Sequence, residues 1–211
     1  VYKFPVERKA MAKYPDHQAS SYDVEHCNWS NLPEDDFIQH EDLPYCIGEF
    51  VWTGFDYLGE PTPYYTDWPS HSSLFGIIDL AGLPKDRYYL YRSHWNKDEE
   101  TLHILPHWTW NGREGEVTPV FVYTNYPSAE LFINGKSQGV RTKDLSVTVH
   151  NSGDSLSVAN LKRQQRYRLM WMDTVYEPGT VKVVAYDAEG NAVAHREIHT
   201  AGKPHHIELE A

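Results

Sequence analysis

Hydrophobic positions along this chain change their period twice. From Cys46 to Trp52 they form a short apolar run, broken only by Gly48 and Glu49. Its length and its β-branched and aromatic content predict a strand buried on both faces. The run then opens into Thr53, Gly54, Asp56, Tyr57, Gly59, Glu60 and Pro61, a polar turn interleaved with aromatics. Upstream, Pro33 with Glu34, Asp35 and Asp36 starts a helix, because proline fits the first turn and acids favour the positive end of the macrodipole. That helix ends before Pro44. A second helix is predicted from Pro84 to about Trp95, with Tyr88, Tyr91 and Trp95 on one face as core aromatics. Helix formers over 6–14 predict one more short helix, ended by Pro15. Helix followed by buried strand is the alternation of an α/β barrel.

Past a polar break at 96–100 the period becomes that of strands. Segments 102–110, 117–124, 129–133, 136–140, 145–149, 155–158, 167–171, 180–187 and 192–200 carry the pattern, separated by Asn134-Gly135, Pro178-Gly179 and Gly190-Asn191. Asn-Gly between two such runs is a strong hairpin signal. Roughly seven to nine short strands at this spacing predict a β-sandwich. The last residues, 203–211, alternate again, as the start of a further domain or a linker would.

Composition narrows the function. Net charge is -11, and phosphate recognition needs clustered Lys and Arg, so nucleic acid is not an expected partner. No apolar run approaches the ~20 residues of a membrane span, so no membrane partner is expected. The chain opens on Val1-Tyr2-Lys3-Phe4-Pro5, without Met or a signal-peptide core, as a piece of a longer polypeptide would. Cys27 and Cys46 are too few and too far apart for a disulfide framework or a zinc ribbon. The adjacent His205 and His206 face opposite sides of a strand, and His94, His103 and His107 lack partners at ligand spacing, so neither metal nor cofactor is expected. With 15 Tyr and 7 Trp the chain is rich in aromatics, which suits either cross-strand packing or sugar binding.

The end of the 46–52 run is where a barrel puts its chemistry. Aromatic faces beside carboxylates suit a sugar, whose C–H faces are apolar and whose edges are hydroxyls. The following loop adds Tyr64, Tyr65, Asp67, Trp68 and His71. Around 18–30, Tyr22, Asp23, Glu25, His26 and Trp29 stand either as a cleft wall or as a surface loop. A retaining glycosidase needs two carboxyls roughly 5–5.5 Å apart. Glu49, Asp56 and Glu60 are the candidates, and each reads first as a structural group or a ligand to sugar hydroxyls.

Gly48-Glu49-Phe50-Val51-Trp52-Thr53-Gly54-Phe55-Asp56-Tyr57 resembles the eighth barrel strand of glycoside hydrolase family 2, the β-galactosidase and β-glucuronidase family. Leu74-Phe75-Gly76-Ile77-Ile78-Asp79 and the segment from Pro84 to Trp95 resemble that family's last loop and helix. The resemblance covers nearly the whole chain. It implies an α+β fragment: the C-terminal end of a (β/α)8 barrel over 1–95, then an immunoglobulin-like β-sandwich over 100–202. It implies a retaining β-galactosidase acting on terminal β-galactosides as the parent, with the remainder of the parent polypeptide and a carbohydrate substrate as partners. Both catalytic glutamates would lie upstream of Val1, so none is expected here. The substrate-binding residues implied are Trp52, Asp56, Tyr64, Asp67 and Trp68, with Trp52 as a wall of the innermost subsite. Family β-glucuronidases carry Asn-x-Lys before the glycine matching Gly76, and some β-galactosidases hold sodium with an asparagine there. Here those positions are Ser73, Leu74 and Phe75, which argues for a neutral sugar and against such a sodium site. The rival reading is a carbohydrate-binding or scaffolding sandwich with no catalytic role.

Overall fold

The computed structural model describes residues 1–10, 14–27, 29–153 and 161–209. In chain order they form β1 (Lys9–Ala10), β2 (Glu25–His26), α1 (Pro33–Asp42), α2 (Asp86–Trp95), β3 (Leu102–Leu105), β4 (Val120–Thr124), β5 (Ser128–Ile133), β6 (Lys136–Thr142), α3 (Gln164–Tyr167), β7 (Leu169–Trp171), β8 (Thr180–Tyr186) and β9 (Ala192–His199). It is a mostly β chain with few helices.

Two antiparallel sheets, ordered β3-β4-β7 and β6-β5-β8-β9, face each other. Ile104, Val120, Val122 and Trp171 of one meet Leu131, Ile133, Val181 and Val183 of the other, with Trp108 closing the end. β5 and β8 alternate buried and half-buried residues, as strands with one covered face do. The β5–β6 hairpin turns on Asn134 (φ 50°) and Gly135 (φ 79°), both left-handed, the conformation a two-residue hairpin turn requires. The two large indoles keep their N–H groups bonded, Trp108 to the Glu177 carbonyl and Trp171 to that of Gly139, each at 2.9 Å.

β4 is buried at all five positions. Its inner face belongs to the sandwich. Its outer face, Phe121 and Tyr123, packs with Leu105 against Tyr22, Phe37, Ile38, Leu90 and Tyr91. The first turn of α1 buries Glu34 and Asp35 in the same seam. Asp35 accepts from the Leu32 N–H at 3.2 Å, Arg8 at 2.6 Å and Arg163 at 3.0 Å. Glu34 pairs with the fully buried Arg168. Buried charge persists only when paired, and burial still pushes the Glu34 carboxyl up despite its partner.

Several expectations are corrected. Residues 46–52 join no ladder, and Ile47 (101%) and Phe50 (105%) are fully exposed rather than buried. A parallel strand needs neighbours for its N–H and C=O groups and cover for both faces; among the described residues no ladder partner is present, and only the side of Glu49 and Val51 is partly covered. The helix expected over 6–14 is absent at Lys9–Ala10, which instead pair in parallel with Glu25–His26; residues 11–13 lie outside the described residues. The segment 145–149 is no strand. Asp144 accepts from the Ser146 N–H and hydroxyl, and Asn151 accepts from the Thr148 N–H, giving the backbone local partners in place of a ladder. The 155–158 strand falls outside the described residues. Residues 203–209 form no strand and are exposed. On α2, Tyr91 is buried, but Tyr88 is half-buried and Trp95 is 52% exposed, resting on Tyr91 and Phe37.

The seam has a titratable member. His94 stacks on Phe37 at 4.1 Å, and its ring meets Tyr167 edge-on. Burial, with Lys97, Lys143 and Arg166 nearby, brings its pKa down to about 4, against the opposite pull of Glu41. A histidine whose folded pKa is depressed contributes stability that is complete above its unfolded value and lost as pH falls toward its folded value. The stability difference between the chain and its His94→Gln variant should therefore be constant above pH ~6.5 and shrink between ~6.5 and ~4. Melting curves of both proteins across that range check this; parallel profiles would assign the pH dependence elsewhere.

Candidate functional site

The stretch from Thr53 to Lys85 is held together by its backbone and, across its middle, by the Asp56 carboxylate. Ile77 N–H donates to the Thr53 carbonyl at 3.1 Å, Ile78 to Gly54 at 3.0 Å, and Asp56 to Ile78 at 2.9 Å. The Asp56 side chain, 6% exposed, accepts from the Gly76 N–H at 2.8 Å and pairs with Lys85 at 2.7 Å. Ser73, fully buried, donates to the same carboxylate at 3.4 Å. Gly76 has no room for a side chain, since a Cβ there would stand 2.1 Å from the Asp56 nitrogen. Asp56 is thus committed to fastening the loop.

Trp52 stands at the start of this stretch, 73% exposed. Its indole N–H donates to the Tyr57 hydroxyl at 3.1 Å, and the rings meet edge to face at 6.2 Å. Tyr57 in turn donates to Glu60, which pushes the phenol pKa up. Trp52, Phe75, Tyr64, Tyr14, His26 and Arg87 surround a cleft of about 170 Å³. A second cleft of about 360 Å³, reaching Asp23, Lys85 and Asp86, shares Glu25 and Arg87 with it. Burial pushes up the thiol pKa of Cys27 on the first cleft's wall.

Of the five residues expected to bind substrate, the fold brings Trp52 and Tyr64 to one cleft. Tyr64 is buried, and its hydroxyl accepts from the Tyr14 N–H at 3.1 Å. Asp56 points into the loop. Asp67 lies 3.9 Å from His17 in a turn closed on the Tyr64 carbonyl. Trp68 is 92% exposed and outside the cleft lining. Of the 18–30 residues, Glu25 and His26 reach the cleft wall, whereas Trp29 stays exposed. Arg87 was not foreseeable as a wall residue. Only the fold shows that it leaves the α2 surface to hold Asp23, with its Nε 2.6 Å from the carboxylate. Glu49 faces Asp36. Burial first, then the neighbouring carboxyl, pushes its pKa up, and the Asp36 carboxyl is also raised, chiefly by burial. Among the described residues, no three His, Cys, Asp or Glu side chains are placed to hold a metal ion.

Asp56 and Gly76 yield a direct test. In Asp56→Ala, the amides of 73–78 should exchange at least about tenfold faster, having lost a charge-assisted bond of ~1.5–3 kcal/mol. Gly76→Ala should open the same loop, while β4 and β8 keep their protection. Hydrogen exchange resolved by segment checks both; unchanged rates in 73–78 would remove Asp56 as the fastener.

Residues 115–194 match a family model described as a domain of unknown function (DUF4982). The β-galactosidase BoGH2A of Bacteroides ovatus is 47% identical over 90% of this chain and 19% of its own length. A putative β-glucuronidase of Formosa agariphila is 37% identical over 77% of this chain and 14% of its own. Among solved structures, a β-glycosidase from Bacteroides vulgatus aligns with a TM-score of 0.70 and 35% identity, over 91% of this chain and 21% of that one. A glycosyl hydrolase family 2 member from Bacteroides cellulosilyticus DSM 14838 aligns with a TM-score of 0.57 and 27% identity, over 81% and 21%. The chain spans about a fifth of the length of the first of these relatives. In sequence and fold alike, its likeness runs through most of its length to one kind of protein, and the chain matches a fragment of a glycoside hydrolase family 2 protein.

Proposed function

We propose that this chain is the part of a retaining β-galactosidase that contributes the rim of its sugar site. Residues 1–95 are the end of a (β/α)8 barrel, 100–202 an immunoglobulin-like sandwich, and 203–211 a linker or the start of a further domain. The observation that carries this reading is the bare apolar segment ending in Trp52. Ile47 and Phe50 are wholly exposed, and Trp52 follows them at the edge of a cleft. Exposed apolar residues in such a run mark a surface made for a partner, and the remainder of the parent polypeptide is that partner. A free-standing scaffolding module has no use for such a segment.

A neutral galactoside is favoured over a uronate. Ser73 is buried against Asp56 where a uronate-binding site needs a lysine side chain nearby, and Phe75 lines the cleft. The cleft's own cation, Arg87, is already paired with Asp23. The relative at 47% identity is named a β-galactosidase, against 37% for a putative β-glucuronidase. Trp52 offers its ring face to the sugar; Asp56 keeps the loop behind it in place. The catalytic carboxylates come from the remainder of the protein, and neither nucleic acid nor membrane is a partner.

Two measurements test this. The 211-residue chain alone should show no turnover of a chromogenic β-galactoside, whereas the complete protein should cleave it and prefer it to the matching β-glucuronide. Turnover by the isolated chain that vanishes in Glu49→Gln or Glu60→Gln would relocate the catalytic pair. In the complete protein, Trp52→Ala should lower kcat/KM by about 30- to 1000-fold, the kinetic equivalent of losing an aromatic contact of ~2–4 kcal/mol. A variant several degrees less stable with kcat/KM within about threefold of the parent would reject the subsite role.

A further inference from the structure

The wall of the cleft hangs from a residue of the sandwich. Arg168, between α3 and β7, has no exposed side-chain surface and lies beside the rings of Tyr123 and Phe121. Its Nε donates to Glu34. One terminal nitrogen, Nη1, donates to the Tyr123 hydroxyl and to the Tyr22 carbonyl, both at 3.1 Å. The other, Nη2, donates to the Asp23 carbonyl at 3.2 Å. Asp23 sits in the left-handed region at φ 57°. Its carboxylate is held by Arg87. Two and three residues further on, Glu25 and His26 enter the cleft. The described ladder support of that wall is the two-residue pairing of β2 with β1. A guanidinium presents five N–H donors in a rigid fork and can hold a carboxylate and two successive carbonyls together, which an ammonium on a flexible stem cannot.

We infer that Arg168 is a positioning residue for the sugar cleft. Its fork fixes the backbone of Tyr22 and Asp23, and through it Glu25, His26 and Arg87 on the cleft wall. The sandwich, through a residue inside the region matched by the domain of unknown function, thereby takes part in substrate binding rather than bracing alone. The inference rests on the reading of this cleft as part of a sugar site.

Arg168→Met alone would strand Glu34 as an unpaired buried charge and unfold the seam. Two other variants keep the question answerable. Arg168→Lys keeps the charge beside Glu34 and loses the fork. The double variant Glu34→Met/Arg168→Met removes both charges at similar volume. Arg163→Met is the control, since Arg163 is buried in the same seam but bonds Asp35, Ser152 and Gly153 rather than the 22–26 segment. In hydrogen exchange on the 211-residue chain, the amides of 22–26 should speed up at least about tenfold relative to β4 and β8 in both Arg168 variants, and not in the control. In the complete protein, Arg168→Lys should raise KM for a β-galactoside about tenfold with kcat within about threefold, while the control changes only the melting temperature. Unchanged exchange at 22–26 would overturn the inference, and so would faster exchange with KM unaltered. If the complete protein cleaves no β-glycoside, the sugar-site reading falls and the catalytic part of the inference with it. The exchange data would still decide whether Arg168 holds the loop.

Discussion

A buried ion pair, Glu34 with Arg168, fixes how the two halves of this chain meet. Glu34 is there because the first turn of α1 welcomes acids, and Arg168 because the turn before β7 aims it at that helix end. Desolvation costs both groups several kcal/mol, so the pair is weak evidence of stability in itself. Its value is specificity. With Asp35 between Arg8 and Arg163, it demands one orientation of α1 over the sandwich, where apolar packing of Phe37 and Tyr91 on Phe121 and Tyr123 would tolerate several.

The sandwich half was readable because each strand carries its own signal. Alternation in β5 and β8, the Asn134-Gly135 turn and the Pro178-Gly179 break all act over a few residues. Where a local competitor was equally short-ranged, the reading failed: Asp144 and Asn151 bond the backbone of 146–148 and leave no strand. Leu102 to Leu105 stops short of the apolar run that suggested it, since Pro106 cannot donate to a ladder.

The cleft was readable only in part, for a different reason. Trp52 and Tyr64 stand out by type and by place after an apolar run. Arg87 and Arg168 carry no such mark. Both are ordinary-looking arginines whose roles come from partners 64 and 134 residues away. Asp56 shows the converse. Its type and place suggested a sugar ligand, yet its oxygens hold Gly76 and Lys85. Nothing in the order of residues tells whether a carboxylate will meet a ligand or a neighbouring amide; that depends on the loop's closure, which Gly76 permits by having no side chain.

The two-sided burial of β4 bears on where this polypeptide can be divided. The sandwich has an inner core of its own, and the matched domain of unknown function, residues 115–194, invites a cut around its borders. Such a cut would turn Phe121 and Tyr123 into a wet aromatic patch and leave the Arg168 guanidinium beside them without its carboxylate. By the accounting of surfaces, the folding unit extends back through α1 and α2. The natural seam of the molecule therefore runs beside the 46–52 segment, inside what the sequence pattern assigns to the barrel.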